Sequence, residues 1–262
     1  MTKKQERARA RRRYEKRAAT LEQRATTNAQ LMRVVAVIGT VGVLVAILAL
    51  LGSTFSKVDP DAKLLTASGC QAPPSSLGTG ADLTLPDKAT AAGRTFTADV
   101  ATNCGTLTFT LDGVKAPQAV ASFLQLAKTD YWVNSPCHRL TTGATLKVLQ
   151  CGDPTGTGSG DPGYGYAVEN PPVGGTYTRG TLAMARTSDA KEGNGGQFFI
   201  VYGDSTIPDP SGYTVFGEVT SGLDIVDKIA AAGVSPGSSS PDDGVPLAPL
   251  SILRVVTTEK KA

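Results

Sequence analysis

Nineteen consecutive residues, Val34 to Gly52 (VVAVIGTVGVLVAILALLG), carry no charge. As a helix, a run of that length rises roughly 28 Å, close to the hydrocarbon thickness of a bilayer. A single-pass anchor therefore divides the chain in two, and the two sides have to be read separately. A buried core helix and a secretory signal peptide are the alternatives. Signal peptides have shorter apolar cores and a small-residue cleavage site, and Ser53-Thr54-Phe55 is a poor match to one.

The charge distribution agrees with that division. Residues 1–33 hold eleven Lys and Arg against three Glu, which leaves 15 basic and 20 acidic residues for the rest of the chain. A basic head precedes the apolar run and a mildly acidic body follows it. Because Lys/Arg bias sets orientation, the expected topology is a cytoplasmic segment at 1–33, a transmembrane helix at 34–52, and an exported remainder. The chain is thus expected in the cell membrane with its C-terminal domain outside the cytoplasm. Nucleic-acid binding by the head is not expected, since Tyr14 is its only aromatic. Attraction of the head to anionic lipid headgroups fits better.

All four cysteines, Cys70, Cys104, Cys137 and Cys151, fall on the exported side. An even count in an oxidising compartment suits two disulfides, with buried free thiols as the alternative. Cys137 and Cys151 flank an expected hairpin, so their side chains could meet, and Cys70 would then pair with Cys104. No C-x-x-C spacing points to zinc, and no metal or other cofactor is expected. Ala67-Ser68-Gly69-Cys70 resembles the end of a lipoprotein processing site but lies too far from the apolar run to be one.

Residues 53–92 are rich in Ser, Pro, Gly, Thr and Ala and read as a flexible exported linker. From residue 93 the pattern changes. Arg94–Val100 and Gly105–Leu111 alternate with period two, with a turn at Thr102-Asn103-Cys104. Ala116-Pro117 opens a helix, with Pro in the first turn and Val120, Phe123, Leu124 and Ala127 on one face. Further strands are expected near 136–140, 145–152, 180–185, 197–202, 213–219 and 249–257, with a second helix near 222–231. Many short strands with two helices suggest a closed antiparallel barrel. The glycine-rich run from Gly152 to Gly165 has no following helix and no Walker lysine, so it reads as a surface loop and not as a phosphate cradle.

Three segments of this body carry chemistry. Cys137-His138-Arg139-Leu140 is followed by Gln150-Cys151-Gly152-Asp153, then by Gly195-Gly196-Gln197-Phe198-Phe199-Ile200, and Val215-Phe216-Gly217-Glu218-Val219 comes after them. They supply a fixed cation, two amides and several aromatics, with no nucleophile–base pair. Such a set can bind and polarise a substrate without covalent chemistry. His138, the only histidine, has no acid or nucleophile paired with it in sequence and reads as structural.

In this order and spacing the segments resemble the signature of the cyclophilin-type peptidyl-prolyl cis–trans isomerases, over roughly residues 93–258. The resemblance implies an eight-stranded barrel with a helix over each end. It implies an isomerase of proline-containing polypeptides, which with the expected topology would assist the folding of exported proteins; a monomer is expected. Arg139 matches the catalytic arginine, Gln150 the glutamine that orients it, Gln197 the residue lining the groove and Phe199 the floor of the proline pocket. Ala185 matches the backbone segment that bonds the peptide. The pattern departs from the family at Val148-Leu149, where Phe-Met usually precedes the glutamine. It departs again at Ile207 and Pro208, where a tryptophan usually stands, and at Tyr213, where many members have histidine. These substitutions leave a second expectation open, a catalytically weak peptide-binding or scaffold module on the same fold.

Overall fold

The computed structural model describes residues 69–261 apart from Thr79 and Ser239. The basic head at 1–33 and the apolar run at 34–52 lie outside the described residues. Among the described residues no helix is long and apolar enough to cross a membrane.

The first hairpin follows its period-two pattern. In β1 (Thr95–Thr102) the side chains of Phe96, Ala98 and Val100 are buried, and in β2 (Gly105–Asp112) those of Leu107, Phe109 and Leu111. Each strand thus gives one face to the interior. The remaining strands of the main sheet are β3 (Ser135–Pro136), β4 (Arg139–Thr142), β5 (Lys147–Cys151), β7 (Thr181–Arg186), β8 (Asn194–Val201), β10 (Val215–Ser221), β11 (Asp243–Gly244) and β12 (Ser251–Glu259). Two further two-residue strands, β6 (Thr176–Tyr177) and β9 (Ser205–Thr206), pair with each other apart from it.

The main sheet is ten-stranded and curled, in the order β11-β4-β5-β8-β7-β10-β2-β1-β12-β3. This corrects the expected closed eight-stranded barrel. Eight longer strands do run side by side, but two-residue strands end the sheet at both sides, and no described ladder joins them. The physical reason lies at 136–140, which the sequence reads as one strand. Ser135 and Pro136 pair with β12, and the Cys137 amide donates to Leu250 O at 2.8 Å. After His138 the chain pairs with β5 instead. The strand leaves one side of the sheet and joins the other, so covalent chain, rather than a ladder, spans the gap.

The helix α1 (Pro117–Lys128) has no side-chain cap of its own at Ala116. Its first free amides are satisfied from a distance: the Glu169 carboxylate accepts from Gln118 N at 3.0 and 3.1 Å and from Ala119 N at 3.0 Å. A negative charge there also complements the helix dipole. The buried face of α1 carries Val120, Phe123 and Ala127, while Leu124 is partly buried. Phe123 sits 4.6 Å from the Trp132 ring and 5.7 Å from Phe216, with Phe109 and Phe198 packed edge-on around them. The Trp132 indole donates to Gly196 O at 3.1 Å, tying this aromatic core to β8. The second helix, α2 (Leu223–Ala232), buries Val226 and Ile229.

Residues 70–92, the distal part of the segment expected to be a linker, lie along this body. Gln71 and Asn103 exchange hydrogen bonds, Leu83 N donates to Pro162 O, and Gln118 and Gln125 donate to Pro86 O and Thr84 O. Cys70 is bonded to Cys104 and Cys137 to Cys151. The first bridge fixes the segment to the β1–β2 turn, and the second spans the β4–β5 hairpin.

Bridges that close 34 and 14 residues stabilise by about 3 to 4 kcal/mol each in the chain-entropy model. Non-reducing peptide mapping should recover the Cys70–Cys104 and Cys137–Cys151 peptides, and reduction should lower the unfolding midpoint. Four free thiols in the native protein would contradict the arrangement.

Candidate functional site

Strand register builds one row of side chains across four neighbouring strands. Arg139 on β4 stands opposite Gln150 on β5, Gln150 opposite Phe199 on β8, and Phe199 opposite Ala183 on β7. Adjacent strands lie about 4.8 Å apart, so a cation, an amide and an aromatic ring line up at fixed intervals. Alternation sends the intervening residues the other way. Leu149, Phe198 and Ile200 are buried in the main core, whereas Val148, Ala183, Phe199 and Val201 form a second apolar cluster with Tyr177.

This alternation corrects one expected site residue. The family resemblance implies Leu149 as a substrate-binding residue beside Val148, but Leu149 is fully buried in the main core. With Gln150 facing outward, its neighbour in the strand has to face inward. Pro208 is exposed on the loop after β9, where it lines a surface groove with Pro171, Pro172 and Val173. Ile207 does pack on the second cluster, as do Ala185 and Tyr213. Ile207 N also donates to Gly175 O at 2.9 Å, beside the β6–β9 pair.

The floor of the site is aromatic. Phe199 and Tyr213 meet edge-on at 5.7 Å, and Tyr177 closes the group at 6.1 Å from Phe199 and 6.4 Å from Tyr213. Tyr177 was not foreseen in the sequence. It holds the wall by accepting a hydrogen bond from Tyr213 N at 2.8 Å. On the other side, Arg186 lies 4.8 Å over the Tyr213 ring and is ion-paired to Asp209 at 2.6 Å, with only 4% of its side chain exposed. It also donates to Gly212 O. The loop from Ile207 to Tyr213 is thereby fastened at both ends.

The polar side of the site is a chain of hydrogen bonds. Arg139 Nη1 donates to Gln150 Oε1 at 3.3 Å, Gln150 Nε2 to Gln197 Oε1 at 2.9 Å, and Gln197 Nε2 to Gly158 O and Gly160 O at 2.9 and 3.0 Å. The glycine-rich loop is therefore the far anchor of the two amides. Asp153 organises that loop from within, accepting from Thr155 N and Oγ1, Gly158 N and Gly160 N. Burial alone would push its carboxyl up; the Thr155 and glycine donors outweigh this and hold it below the usual carboxylate range. Two glycines are required where the motif strands approach. Gly152 has φ +92°, and a Cβ there would meet Gly196 O at 2.5 Å. A Cβ on Gly196 would meet the Tyr131 ring at 2.9 Å. A cavity of about 270 Å³ opens between Gln150, Gln197, Ala185, Arg186 and the Gly158–Gly160 turn.

Arg139 has a partner that sequence spacing could not show. Its Nε and Nη2 both donate to the Asp243 carboxylate at 2.7 Å, a bidentate pair formed across 104 residues of chain. The bond to Asp243 raises the guanidinium's pKa, and the same bond holds the Asp243 carboxyl below its usual range. Both are ionised at neutral pH. A guanidinium has five N–H donors; with three engaged, one remains on Nη1 and one on Nη2. His138 contributes no proton chemistry to this arrangement. Burial pushes its pKa down and the Arg139 charge adds to this, outweighing Asp153 and the Pro136 backbone, so the ring is neutral. Among the described residues no cluster of His, Cys, Asp or Glu could hold a metal ion.

A family model for "Cyclophilin type peptidyl-prolyl cis-trans isomerase/CLD" matches residues 97–257. The chain is 42% identical over 172 residues to a probable peptidyl-prolyl cis-trans isomerase B of Mycobacterium leprae, covering 60% of this chain and 55% of that protein. For its Mycobacterium tuberculosis counterpart the identity is 43% over 169 residues, with 59% and 52% covered. The chain thus spans about half the length of these curated relatives. A crystal structure of a cyclophilin type peptidyl-prolyl cis-trans isomerase from Cryptosporidium parvum superposes with a TM-score of 0.52 at 27% identity, covering 64% of this chain and 99% of that one. With Arg139, Gln150 and Phe199 on one strand row and the family model spanning that row, the chain belongs to the cyclophilin-type peptidyl-prolyl cis-trans isomerase family.

Proposed function

We propose that the chain is a peptidyl-prolyl cis–trans isomerase that acts on proline-containing polypeptides at the outer face of the cell membrane. One observation carries the reading: Arg139 stands two strands from the aromatic floor at Phe199, with Gln150 between them. That spacing suits a proline ring on Phe199 and the preceding amide beside the guanidinium.

Rotation about an X–Pro bond must break amide resonance, against a barrier of about 18–20 kcal/mol. In the twisted state the proline nitrogen becomes pyramidal and basic, and the carbonyl loses its conjugation. The remaining N–H donors of Arg139 bond that state better than the planar one, and this difference lowers the barrier. Gln150 and Gln197 hold the peptide backbone and the guanidinium in register. Val148, Phe199, Ile207 and Tyr213 form the apolar contact, and the backbone at Ala185 bonds the extended peptide. No covalent intermediate or cofactor is needed.

The solved Cryptosporidium protein was also crystallised in the presence of the dipeptide Ala-Pro, which agrees with a proline-peptide ligand for this site. A second reading, a peptide-binding module with little catalysis, is favoured by the altered pocket wall, where Val148 and Ile207 supply aliphatic side chains in the cluster around Phe199. A protease-coupled assay on a proline peptide separates the two. Arg139→Ala should lower isomerisation by two orders of magnitude or more while the circular dichroism spectrum stays unchanged, because the side chain is partly exposed and outside the core. Unchanged activity in a folded Arg139→Ala protein would remove the residue from the mechanism.

The membrane placement rests on the eleven-to-three charge bias before Val34 and on the apolar run itself. The two disulfides agree with an exported body. Protease added to intact, wall-stripped cells should digest the body and spare residues 1–33. Protection of the body with loss of the head would reverse the orientation.

A further inference from the structure

We infer that Asp243 is a positioning residue for catalysis, acting through Arg139. The inference rests on the assignment of Arg139 to the twisted amide. Asp243 occupies the Nε and Nη2 donors of the guanidinium together, at 2.7 Å each, and Gln150 accepts from Nη1. A guanidinium held on two sides by a planar carboxylate and an amide cannot turn about its long side chain. Its remaining donors therefore point in one direction before substrate arrives, and bidentate geometry makes this hold far stricter than a single point contact.

The carboxylate is delivered by a segment that is itself fixed. β11 pairs Asp243 with Thr141 and Gly244 with Leu140, both on the strand that carries Arg139. Thr142 N donates to Asp242 O at 2.9 Å. Behind β11, Ser235 N donates to Val245 O and Leu247 N to Gly233 O, so the turn after α2 is bonded back on itself. Gly244 sits so close to this turn that a Cβ would meet the Ser238 side chain at 2.2 Å. The Asp243 backbone is thus registered to the Arg139 strand, and the pairing does not depend on a wandering surface side chain.

The pair is also poorly suited to a purely structural role. Its side chains are 42% and 40% exposed, and ion pairs with that much solvent contribute little to stability. Its effect should fall on the reaction: the carboxylate fixes where the guanidinium points, and misplacement of a catalytic group by about 1 Å can cost a hundredfold in rate.

The test is a double-mutant cycle on the full chain, read by exchange NMR and by the protease-coupled assay on a proline peptide. Asp243→Ala should lower kcat by about tenfold to a hundredfold, with KM changed by less than about twofold and the melting temperature nearly unchanged. The Nε–H resonance of Arg139 should shift or broaden. In an Arg139→Ala background the same substitution should have no further effect, because the two residues act as one unit. Asp243→Asn, which keeps shape but can accept at only one oxygen, should give an intermediate loss. Wild-type kcat in both Asp243 variants would overturn the inference, as would an equal loss that persists without Arg139, which would mark a structural role. An Arg139→Ala protein as active as wild type would instead sink the assignment of Arg139 itself, and the inference with it.

Discussion

The site depends on the register of four strands, in which Arg139 faces Gln150, Gln150 faces Phe199 and Phe199 faces Ala183. A slip of one residue between any two of them would turn a functional side chain into the core and bring a core side chain out. The molecule secures this register in several independent ways. The Cys137–Cys151 bridge spans the β4–β5 hairpin one residue beyond Gln150. The Trp132 indole bonds the backbone one residue before Gln197. Two interior residues of the same strands, Leu149 and Ile200, lie fully buried opposite each other. Burial on one face of the sheet therefore fixes polar geometry on the other.

Electrostatics then refines what register has set. Arg139 carries its charge beside Asp243, and neither group changes state near neutral pH. The carboxyl's depressed pKa means that the pair persists above the ordinary carboxylate range and is lost only as acid reaches the lowered value. Pairing reduces the net charge that a substrate would meet; under the proposed mechanism it would also remove the reorganisation that a free guanidinium needs. At the other end of the chain of hydrogen bonds, Asp153 holds the carbonyls of Gly158 and Gly160 where Gln197 can use them. Two carboxylates, Asp153 buried and Asp243 half-buried, thus brace this row from opposite sides.

Much of this was legible in the residues. Period-two alternation located β1 and β2, the helical spacing of Val120, Phe123 and Ala127 located α1, and the hairpin between Cys137 and Cys151 suggested the pairing found in both bridges. Four features were hidden, each for a physical reason. The break at Cys137–His138 leaves no mark on hydrophobic period, because both halves are extended; only their pairing partners differ. Asp243 is 104 residues from Arg139, and an Asp-Asp-Gly run reads as a turn whatever it faces. The inward turn of Leu149 is masked because Val148 beside it is buried too, in the second cluster, so the apolar pair shows no alternation. Tyr177 is one aromatic in a two-residue strand, too short for any period to show.

The most direct test of the account is a crystal structure of the domain from residue 69 onward bound to a short X–Pro peptide. The account predicts the proline ring on Phe199 against Tyr213 and Val148. It places a free Arg139 Nη donor within about 3.2 Å of the X–Pro amide, with the bidentate bond to Asp243 retained. A peptide seated away from Phe199, or an Arg139 turned from the amide toward solvent, would contradict it.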